Sequence, residues 1–230
     1  MFNNFNLYLV RHGQSAVNIQ PDLMGQTAEV PLTFHGETQS AFLGLWFKDS
    51  HREHKTKFDL VYSSTHLRAL NTAQIALKEM ECEIPIILAD DLREYSAGDW
   101  TGASRSATIT PEVRNHMTIL EHSFVPPNGE SIHMVQRRSA KWLEDNILYN
   151  KDVMEMAKKK QEPLNIVCFS HGITIKSLIH YIMGFDKSFT WKIQIDNNSV
   201  TKFHFGDHGW SLKYLNVVPI QDIVRADYQY

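Results

Sequence analysis

Three polar segments follow apolar runs in this sequence and contain residue types suited to binding phosphate. Arg11-His12-Gly13 follows the first run, Ser63-Ser64 precedes Arg68 after the second, and Ser170-His171-Gly172 follows a later one. Two guanidinium groups and two imidazoles in one cleft would bind a dianion, because a guanidinium pairs with two phosphate oxygens at once. The three segments therefore predict a phosphate site, provided that the fold brings them together.

Each of these residues alone is weak support for a catalytic site. A histidine after a strand is more often a structural hydrogen-bonding group, and Arg68 alone is typical of a surface charge. Helices that begin after Ser64 and His171 would add backbone donors and a favourable dipole to the same cleft. The combined placement is what favours a functional site.

The composition limits the classes of protein that this chain can belong to. Its 230 residues carry a net charge of −3, with 43% hydrophobic and 21% charged residues, as is ordinary for a globular protein. This charge gives no global positive field for nucleic acid or an anionic membrane, so neither is an expected partner. Any anionic ligand must be bound by a local cluster of cations.

The apolar runs and the cysteines indicate the cellular compartment. Charged residues interrupt every apolar run before it reaches membrane-spanning length, and the first six residues lack the features of a secretory signal. Cys82 and Cys168 are too few for a disulfide framework. We expect a reduced, cytoplasmic protein.

Strand and helix patterns alternate along the chain. The patterns predict strands at residues 6–10, 58–63, 84–89 and 164–169, and helices at 33–46, 67–80, 130–160 and 173–183. This alternation predicts an α/β fold, a three-layer α/β/α sandwich around a mostly parallel sheet. Residues 199–205 and 210–215 predict an antiparallel edge hairpin.

No linker divides the sequence, so we expect one domain over residues 1–230. A long loop is expected at residues 14–31 and a partly helical insertion at about 101–128. Because ligands bind beyond the carboxyl ends of parallel strands, the polar segments should converge at one edge of the sheet.

A known family shows the same polar segments in the same order. Leu9 to Ser15, followed by Asn18, resembles the Arg-His-Gly signature of the histidine phosphatase, or phosphoglycerate mutase-like, superfamily. Further matches follow in the family's order: Gly25, Val30–Thr33, Gly36, Gln39, Ser63-Ser64, Arg68-Ala69, Thr72-Ala73, Leu92–Glu94, Gly98, Trp100, Gly102, Gly129–Ser131, Ser170–Gly172 and Asn198–Thr201. An isolated Arg-His-Gly is weak support, whereas a series that spans most of the chain is specific.

The resemblance implies a phosphoglycerate mutase-like fold and a phosphomonoester hydrolase. His12 would attack phosphorus and become a phosphohistidine, and Glu94 would protonate the leaving oxygen and then help to activate water. The rate should therefore fall on the alkaline side as Glu94 loses its proton in the substrate complex. Because positive charges disfavour imidazolium, the two nearby arginines should keep His12 neutral.

The resemblance also assigns the groups that bind the phosphoryl oxygens. Arg11, Arg68 and His171 would hold these oxygens and neutralise their charge in the transition state. Further substrate contacts are expected from the matched motifs at Asn18, Gly13, Ser64 and Gly172.

Other phosphatase chemistries fit the sequence poorly. A cysteine-based enzyme needs an arginine six residues after its nucleophile, but Thr174 follows Cys168 and Leu88 follows Cys82 at that spacing. His51 and His54 have a metal-like spacing in a charged segment without a clear partner set, so solvated histidines are favoured there. We expect no metal and no cofactor.

Two alternatives to a phosphatase remain. A cofactor-dependent mutase carries a Tyr-Gly-x-Leu-Gln-Gly run after its acid, whereas residues 95–102 here, YSAGDWTG, resemble the phosphatase branch. A silent binding module would usually lack the nucleophile or the acid, and both are present. The substrate is expected to be a small phosphorylated molecule, with a phosphoprotein also open, and candidate pocket residues are Trp100, His116, His122 and Phe124.

Overall fold

The computed structural model describes residues 4–25, 27–49, 56–186 and 190–219. In these ranges six strands form one sheet: β1 (Phe5–Arg11), β2 (Leu60–Ser63), β3 (Ile86–Leu88), β4 (Leu164–Ser170), β5 (Val200–Gly206) and β6 (Gly209–Val217). Their order is β3-β2-β4-β1-β5-β6, in which β1 to β4 pair in parallel and β5 and β6 pair antiparallel. The predicted mostly parallel sheet with an antiparallel edge hairpin is confirmed.

Seven α-helices lie within the described ranges. They are α1 (Phe34–Asp49), α2 (Leu67–Glu79), α3 (Arg105–Thr108), α4 (Pro111–Leu120), α5 (Ile132–Leu143), α6 (Lys151–Lys159) and α7 (Gly172–Met183). Short 3₁₀ turns occur at Asp90–Leu92, Gly98–Trp100 and Glu121–Ser123. No helix of the described chain is long and apolar enough to cross a membrane.

Strand β1 shows why helices cover both faces of the sheet. Its alternate residues Phe5, Leu7 and Leu9 pack in one apolar cluster with α5 and α7, because successive side chains of a strand point to opposite faces. Tyr8 and Val10 pack in a second cluster with α1 and α2. The predicted three-layer sandwich is confirmed, with a separate apolar layer on each side of the sheet.

Helix α1 begins where the sequence predicted. The hydroxyl of Thr33 accepts a hydrogen bond from the Gly36 backbone N–H at 3.0 Å. This contact satisfies one of the amide groups that a helix start leaves without a partner. The side chain of Thr33 therefore fixes the start of the helix that packs beside the His12 loop.

The predicted single helix over residues 130–160 is wrong. Helix α5 ends at Leu143, a π-helical turn follows at Glu144–Leu148, and α6 starts anew at Lys151. The side chain of Asn150 accepts hydrogen bonds from the backbone of Asp152 and Val153. An asparagine is a favoured helix cap, and its side chain supplies the acceptor that a second start needs.

The insertion at residues 101–128 contains α3 and α4, and neither helix has a buried residue. Asp22 connects the long loop to this insertion: its carboxylate accepts hydrogen bonds from the Ser104 hydroxyl and from the Ser106 N–H. A β-bridge between Leu23 and Ser104 adds a second connection. The predicted long loop and the predicted insertion therefore touch each other.

Candidate active site

The carboxyl ends of three neighbouring strands bring the predicted residues together. The His12 N–H donates to the Ser170 carbonyl at 3.0 Å, and the Ser64 N–H donates to the Phe169 carbonyl at 2.9 Å. The rings of His12 and His171 have centroids 5.1 Å apart. The parallel pairing of β1, β2 and β4 thus places both histidines and the start of α2 at one edge of the sheet.

His12 is held in one tautomer by two hydrogen bonds. Its Nδ1 lies 2.7 Å from the Gly13 carbonyl oxygen, which can only accept, so Nδ1 carries the proton. Its Nε2 accepts from Arg68 Nε at 3.3 Å. The ring is therefore neutral, with the lone pair of Nε2 on the side of the arginine cations.

Burial and positive charge keep both histidines neutral. His12 is 1% exposed, and its burial, followed by the charges of Arg68 and Arg11, lowers its pKa well below 6.5. Burial, followed by the Arg68 charge, has the same effect on the pKa of His171. The predicted effect of the arginines on His12 is confirmed in direction, with desolvation as the larger cause.

Arg68 is completely buried and makes three hydrogen bonds. Besides His12, its guanidinium donates to the Thr27 carbonyl at 2.9 Å and to His66 Nδ1 at 3.1 Å. Burial lowers the pKa of Arg68 to about 10, so the group stays positive at neutral pH. Burial also lowers the pKa of His66 to about 4, which leaves His66 a neutral acceptor for Arg68.

Arg11 and His171 each have a buried nitrogen that finds no hydrogen-bond partner among the described residues. Arg11 Nη1 donates to the Ile195 carbonyl at 2.6 Å, but its Nε has no partner within the described chain. The Ser64 hydroxyl accepts from the His66 N–H and lies 2.8 Å from His171 Nε2. Since no other acceptor for the hydroxyl proton occurs among the described residues, we assign Ser64 as the donor to Nε2. His171 Nδ1 then carries a proton, and it too has no partner within the described chain.

Buried polar groups in folded proteins almost always have a hydrogen-bond partner. Here two donors lack one, and among the described residues neither Arg11 nor Arg68 forms an ion pair. Glu94 acts electrostatically on both guanidinium groups, but buried charge without a direct partner is costly. An anion with several acceptor oxygens would satisfy both requirements, so the arrangement fits a bound phosphoryl group.

Glu94 lies at the edge of this cluster and is fixed by the backbone. Its carboxylate accepts hydrogen bonds from the Tyr95 N–H at 2.9 Å and from the Ile173 N–H at 3.3 Å. A methyl group added at Gly172 would lie 3.5 Å from Arg11 Nε and 3.8 Å from Glu94 Oε2. The absence of a side chain at Gly172 thus leaves open the space where Arg11 faces the carboxylate.

Gly13, Ser64 and Asn18 use most of their polar atoms inside the protein. The Gly13 N–H donates to the Thr72 hydroxyl, and Ser64 bonds to His171 as described above. We therefore propose Gly13 and Ser64 as residues that position the two histidines rather than as substrate contacts. The side-chain oxygen Oδ1 of Asn18 accepts hydrogen bonds from Ser15, so only the side-chain nitrogen Nδ2 of Asn18 is left to face a substrate.

Close packing explains why two of the matched positions are glycine. A methyl group at Gly13 would lie 2.5 Å from the Gly36 carbonyl oxygen, and one at Gly36 would lie 2.0 Å from the Gln14 carbonyl oxygen. Real side chains essentially never approach so closely. The start of α1 therefore packs directly on the backbone that holds His12.

Sequence reasoning missed three residues that position the site. Asn197 Nδ2 donates to the His12 carbonyl at 3.1 Å and to Asn18 Oδ1 at 3.2 Å, which ties the loop to the nucleophile. Arg138 donates to the Glu94 carbonyl at 3.1 Å and pairs with Glu130 at 2.8 Å. The third is His66, which accepts a hydrogen bond from Arg68. Each of the three lies within nine residues of a matched motif, but nothing in the sequence indicated that its side chain contacts the site.

A cavity of about 790 Å³ opens beside Glu94. Tyr95 and Ile173, whose N–H groups hold the Glu94 carboxylate, are among the residues that line it. Of the predicted pocket residues, Trp100, His122 and Phe124 line the cavity, whereas His116 does not and is exposed on α4. The cations of the site lie outside this lining, so the cavity is adjacent to the phosphate site rather than identical with it.

No cluster of three or more metal-ligating side chains occurs in the described ranges. His51 and His54, considered above for a metal, lie outside those ranges.

Comparisons with known proteins agree with this geometry. The model of the histidine phosphatase superfamily (branch 1) matches residues 7–218, and the chain belongs to this family. It is 26% identical over 178 residues to a 2,3-bisphosphoglycerate-dependent phosphoglycerate mutase from Cytophaga hutchinsonii, covering 76% of each chain. It is 24% identical over 213 residues to the adenosylcobalamin/alpha-ribazole phosphatase of Escherichia coli, covering 91% of this chain and 95% of that protein.

A solved relative extends the likeness to three dimensions. The crystal structure of a phosphoserine phosphatase mutant from Entamoeba histolytica, in complex with phosphoserine, is 25% identical and superposes with a TM-score of 0.70. The match covers 93% of this chain and 98% of that one. The fold is therefore that of the phosphoglycerate mutase-like enzymes, a family that contains both phosphatases and mutases.

Proposed function

We propose that this protein hydrolyses small phosphomonoesters through a phosphohistidine on His12. The observation that carries the proposal is a neutral, buried His12 beside the buried guanidinium group of Arg68 and the partly buried one of Arg11, neither of which forms an ion pair in the described chain. A neutral imidazole is a nucleophile, and preorganised cations stabilise the charge that a transferring phosphoryl group develops. The protein keeps the nucleophile and its electrostatic support in one cluster.

The first step transfers the phosphoryl group to the protein. The Nε2 lone pair of His12 attacks phosphorus while the bond to the alcohol oxygen breaks, and Glu94 gives that oxygen its proton. The Nδ1 proton stays on its bond to the Gly13 carbonyl, which stabilises the positive charge that forms on the ring. Arg11 Nε and His171 Nδ1 donate to the phosphoryl oxygens and so gain the partners that they lack.

The second step returns His12 to its starting state. The Glu94 carboxylate accepts a proton from water as the water oxygen attacks phosphorus and the bond from phosphorus to nitrogen breaks. Inorganic phosphate leaves, and Glu94 is protonated again for the next cycle.

A mutase is the second candidate, and one observation favours it. Arg105 and Arg114 line the cavity, and Lys176 lies close enough to Arg11 and Glu94 for their charges to act on its pKa, which burial lowers. These cations could hold the second phosphate of a bisphosphate. The sequence YSAGDWTG at residues 95–102 still favours hydrolysis. A cytoplasmic location and a single domain stay predictions.

The test compares wild type with His12→Ala and Glu94→Gln on p-nitrophenyl phosphate, phosphoserine and 3-phosphoglycerate, the last with and without its bisphosphate. We expect phosphate release that is lost in His12→Ala. In Glu94→Gln the loss should be largest on substrates with a poor leaving group, and the alkaline decline in rate should disappear. Net isomerisation of phosphoglycerate would establish the mutase, and equal inertness of wild type and His12→Ala would indicate a binding module.

A further inference from the structure

The position of Glu94 indicates where the alcohol portion of a substrate lies. Because an acid has to reach the leaving oxygen, the alcohol portion lies on the Glu94 side of the phosphoryl group. The cavity of about 790 Å³ begins there, at Tyr95 and Ile173. This cavity is therefore the space that lies open to the alcohol portion on the Glu94 side.

The size of the cavity argues against a minimal substrate. Sites for drug-sized molecules have volumes of roughly 300–1,000 Å³, and this cavity lies in the upper part of that range. A three-carbon phosphoester would leave most of it filled with water. Affinity would then come from the phosphate alone, and the apolar walls would contribute nothing.

The walls are mainly aromatic and aliphatic. The rings of Trp100 and Phe124 stack with centroids 5.6 Å apart and planes 30° from parallel, and both line the cavity. On another side Trp191 is 66% exposed, with Lys176 Nζ 5.7 Å from its ring centroid. Aromatic surface of this kind favours a flat apolar group by stacking and by removal of water.

The lining of the cavity includes two arginines. Arg105 and Arg114 are both exposed, which places their charges towards solvent, and neither forms an ion pair with a described residue. Asp22 acts electrostatically on Arg105, although its carboxylate is hydrogen-bonded to Ser104 and Ser106. Glu121 also lines the cavity. Because Asp22 already acts on Arg105, Arg114 on α4 is the cavity cation that we assign to an anionic group.

From this placement we infer that the preferred substrates are bulky, flat, largely apolar phosphomonoesters that carry a second anionic group, held by Arg114, at the end remote from the phosphate. The inference rests on the proposed function, since it assigns the substrate class of the same site. The cluster around His12 binds the phosphate, the Trp100–Phe124 wall binds the flat portion, and Arg114 selects the charge at its far end.

The test uses alkyl phosphates that share one leaving group: ethyl phosphate, 2-(naphth-2-yl)ethyl phosphate, and the 6-carboxy and 6-carboxamide derivatives of the latter. Burial of the naphthyl group should raise kcat/KM about 100-fold over ethyl phosphate. The carboxylate should exceed the carboxamide about fivefold, as is typical of a partly exposed charge pair. p-Nitrophenyl phosphate serves as the reference for activity of the phosphate site.

Three variants assign these preferences to residues. Arg114→Gln should bring the carboxylate and carboxamide substrates within about twofold of each other. Arg137→Gln is the matched control, because Arg137 is likewise an exposed helical arginine but does not line the cavity, and it should keep the wild-type ratio. Phe124→Leu should lower the naphthyl-to-ethyl ratio about fivefold. Because no residue of α4 is buried, Arg114→Gln tests the charge even if Phe124→Leu alters the fold.

The outcomes separate the inference from the function on which it rests. Equal kcat/KM for ethyl and naphthylethyl phosphate, or a carboxylate preference that survives Arg114→Gln, overturns the inference alone. Failure to hydrolyse even p-nitrophenyl phosphate overturns the proposed function and the inference with it.

Discussion

The catalytic cluster (Arg11, His12, Arg68 and His171) and the insertion (residues 101–128) are built in opposite ways. His12, Arg68 and His171 are at most 1% exposed, and strand ends and helix starts of the central sheet hold them. In the insertion, neither α3 nor α4 has a buried residue. A buried polar cluster tolerates little change, whereas an exposed segment can vary at small cost to stability.

This difference indicates that one part of the molecule determines the chemical reaction and the other determines the preference among substrates. The cluster has one arrangement that satisfies its charges, so it should bind the same phosphoryl group in any substrate. By the inference above, the insertion contacts the alcohol portion through residues such as Phe124 and Arg114, which line the cavity and lie outside the strands of the sheet. Changes in the cluster should therefore alter the rate for every substrate, and changes in the insertion should alter the ratios between substrates.

The largest effect is expected for Arg68→Met. Loss of a preorganised cation that stabilises the transition state should lower kcat/KM about 1,000-fold for every phosphomonoester. Inorganic phosphate should raise the Tm of wild type, since a ligand that binds only the folded state stabilises it, but should leave the Tm of Arg68→Met unchanged. Steady-state kinetics and thermal scans measure the two effects, with Arg114→Gln as the comparison that keeps its response to phosphate. A fall confined to one substrate would place Arg68 on the alcohol side instead.

The pH dependence of stability should depend on the cluster. Burial and the arginines lower the folded-state pKa of His12 and His171, so below about pH 6.5 the unfolded chain binds protons that the folded chain does not. Their contribution is present above that pH and is lost as the pH falls, by about 1.4 kcal/mol per pH unit for each histidine.

Urea titrations between pH 7.5 and 5 measure this slope of the free energy of unfolding. His171→Asn should flatten it by about one proton. His116→Gln in the insertion should not change it, because His116 is exposed. A wild-type free energy that does not vary over this range would show that the buried histidines titrate alike in the folded and unfolded chains.

A smaller effect is expected for Arg138→Met, which removes the contact to the Glu94 backbone. Misplacement of the acid should lower kcat about tenfold on alkyl phosphates and much less on p-nitrophenyl phosphate, whose leaving group needs little protonation. Arg137→Gln, one residue away and exposed, is the control. An equal loss on both substrates would mean that Arg138 supports the fold in general rather than Glu94.

The smallest effect is expected for Asp22→Ala, which removes the side-chain hydrogen bonds from the loop to the start of the insertion and leaves the Leu23–Ser104 bridge in place. Because Asp22 is exposed, the loss of its hydrogen bonds should have only a small effect. We expect KM for naphthylethyl phosphate to rise about two- to threefold and KM for ethyl phosphate to change little. Glu29→Ala, an exposed acid of the same loop, is the control. A comparable rise for both substrates would show that the insertion also shapes the phosphate site.

The sequence predicted the catalytic cluster better than the insertion, for a physical reason. His12 and His171 follow buried apolar strands that pair in parallel. This pairing places the residues after both strands at the same edge of the sheet. The same reasoning predicted the sheet, its hairpin and the start of α1 near residue 33. It failed at residues 130–160, where the side chain of Asn150 starts a second helix within a continuous polar-apolar pattern.

The contacts that sequence reasoning missed depend on tertiary placement. Arg138 reaches Glu94 across 44 residues, and Asn197 reaches His12 across 185. No local pattern encodes such pairs, because neither residue type differs from an ordinary polar surface residue. The cavity arises in the same way, since residues of the loop, the insertion and α7 line it only after the chain has folded.

The most direct test of the central claim is to trap the phosphorylated protein. Wild type is mixed with a rapidly cleaved phosphomonoester and quenched in base, which preserves phosphohistidine, and the modified residue is then identified by mass spectrometry and by its phosphorus NMR signal. We predict one acid-labile phosphoryl group on Nε2 of His12, absent from His12→Asn. A phosphoryl group on another residue, or an equal amount in His12→Asn, would contradict the account.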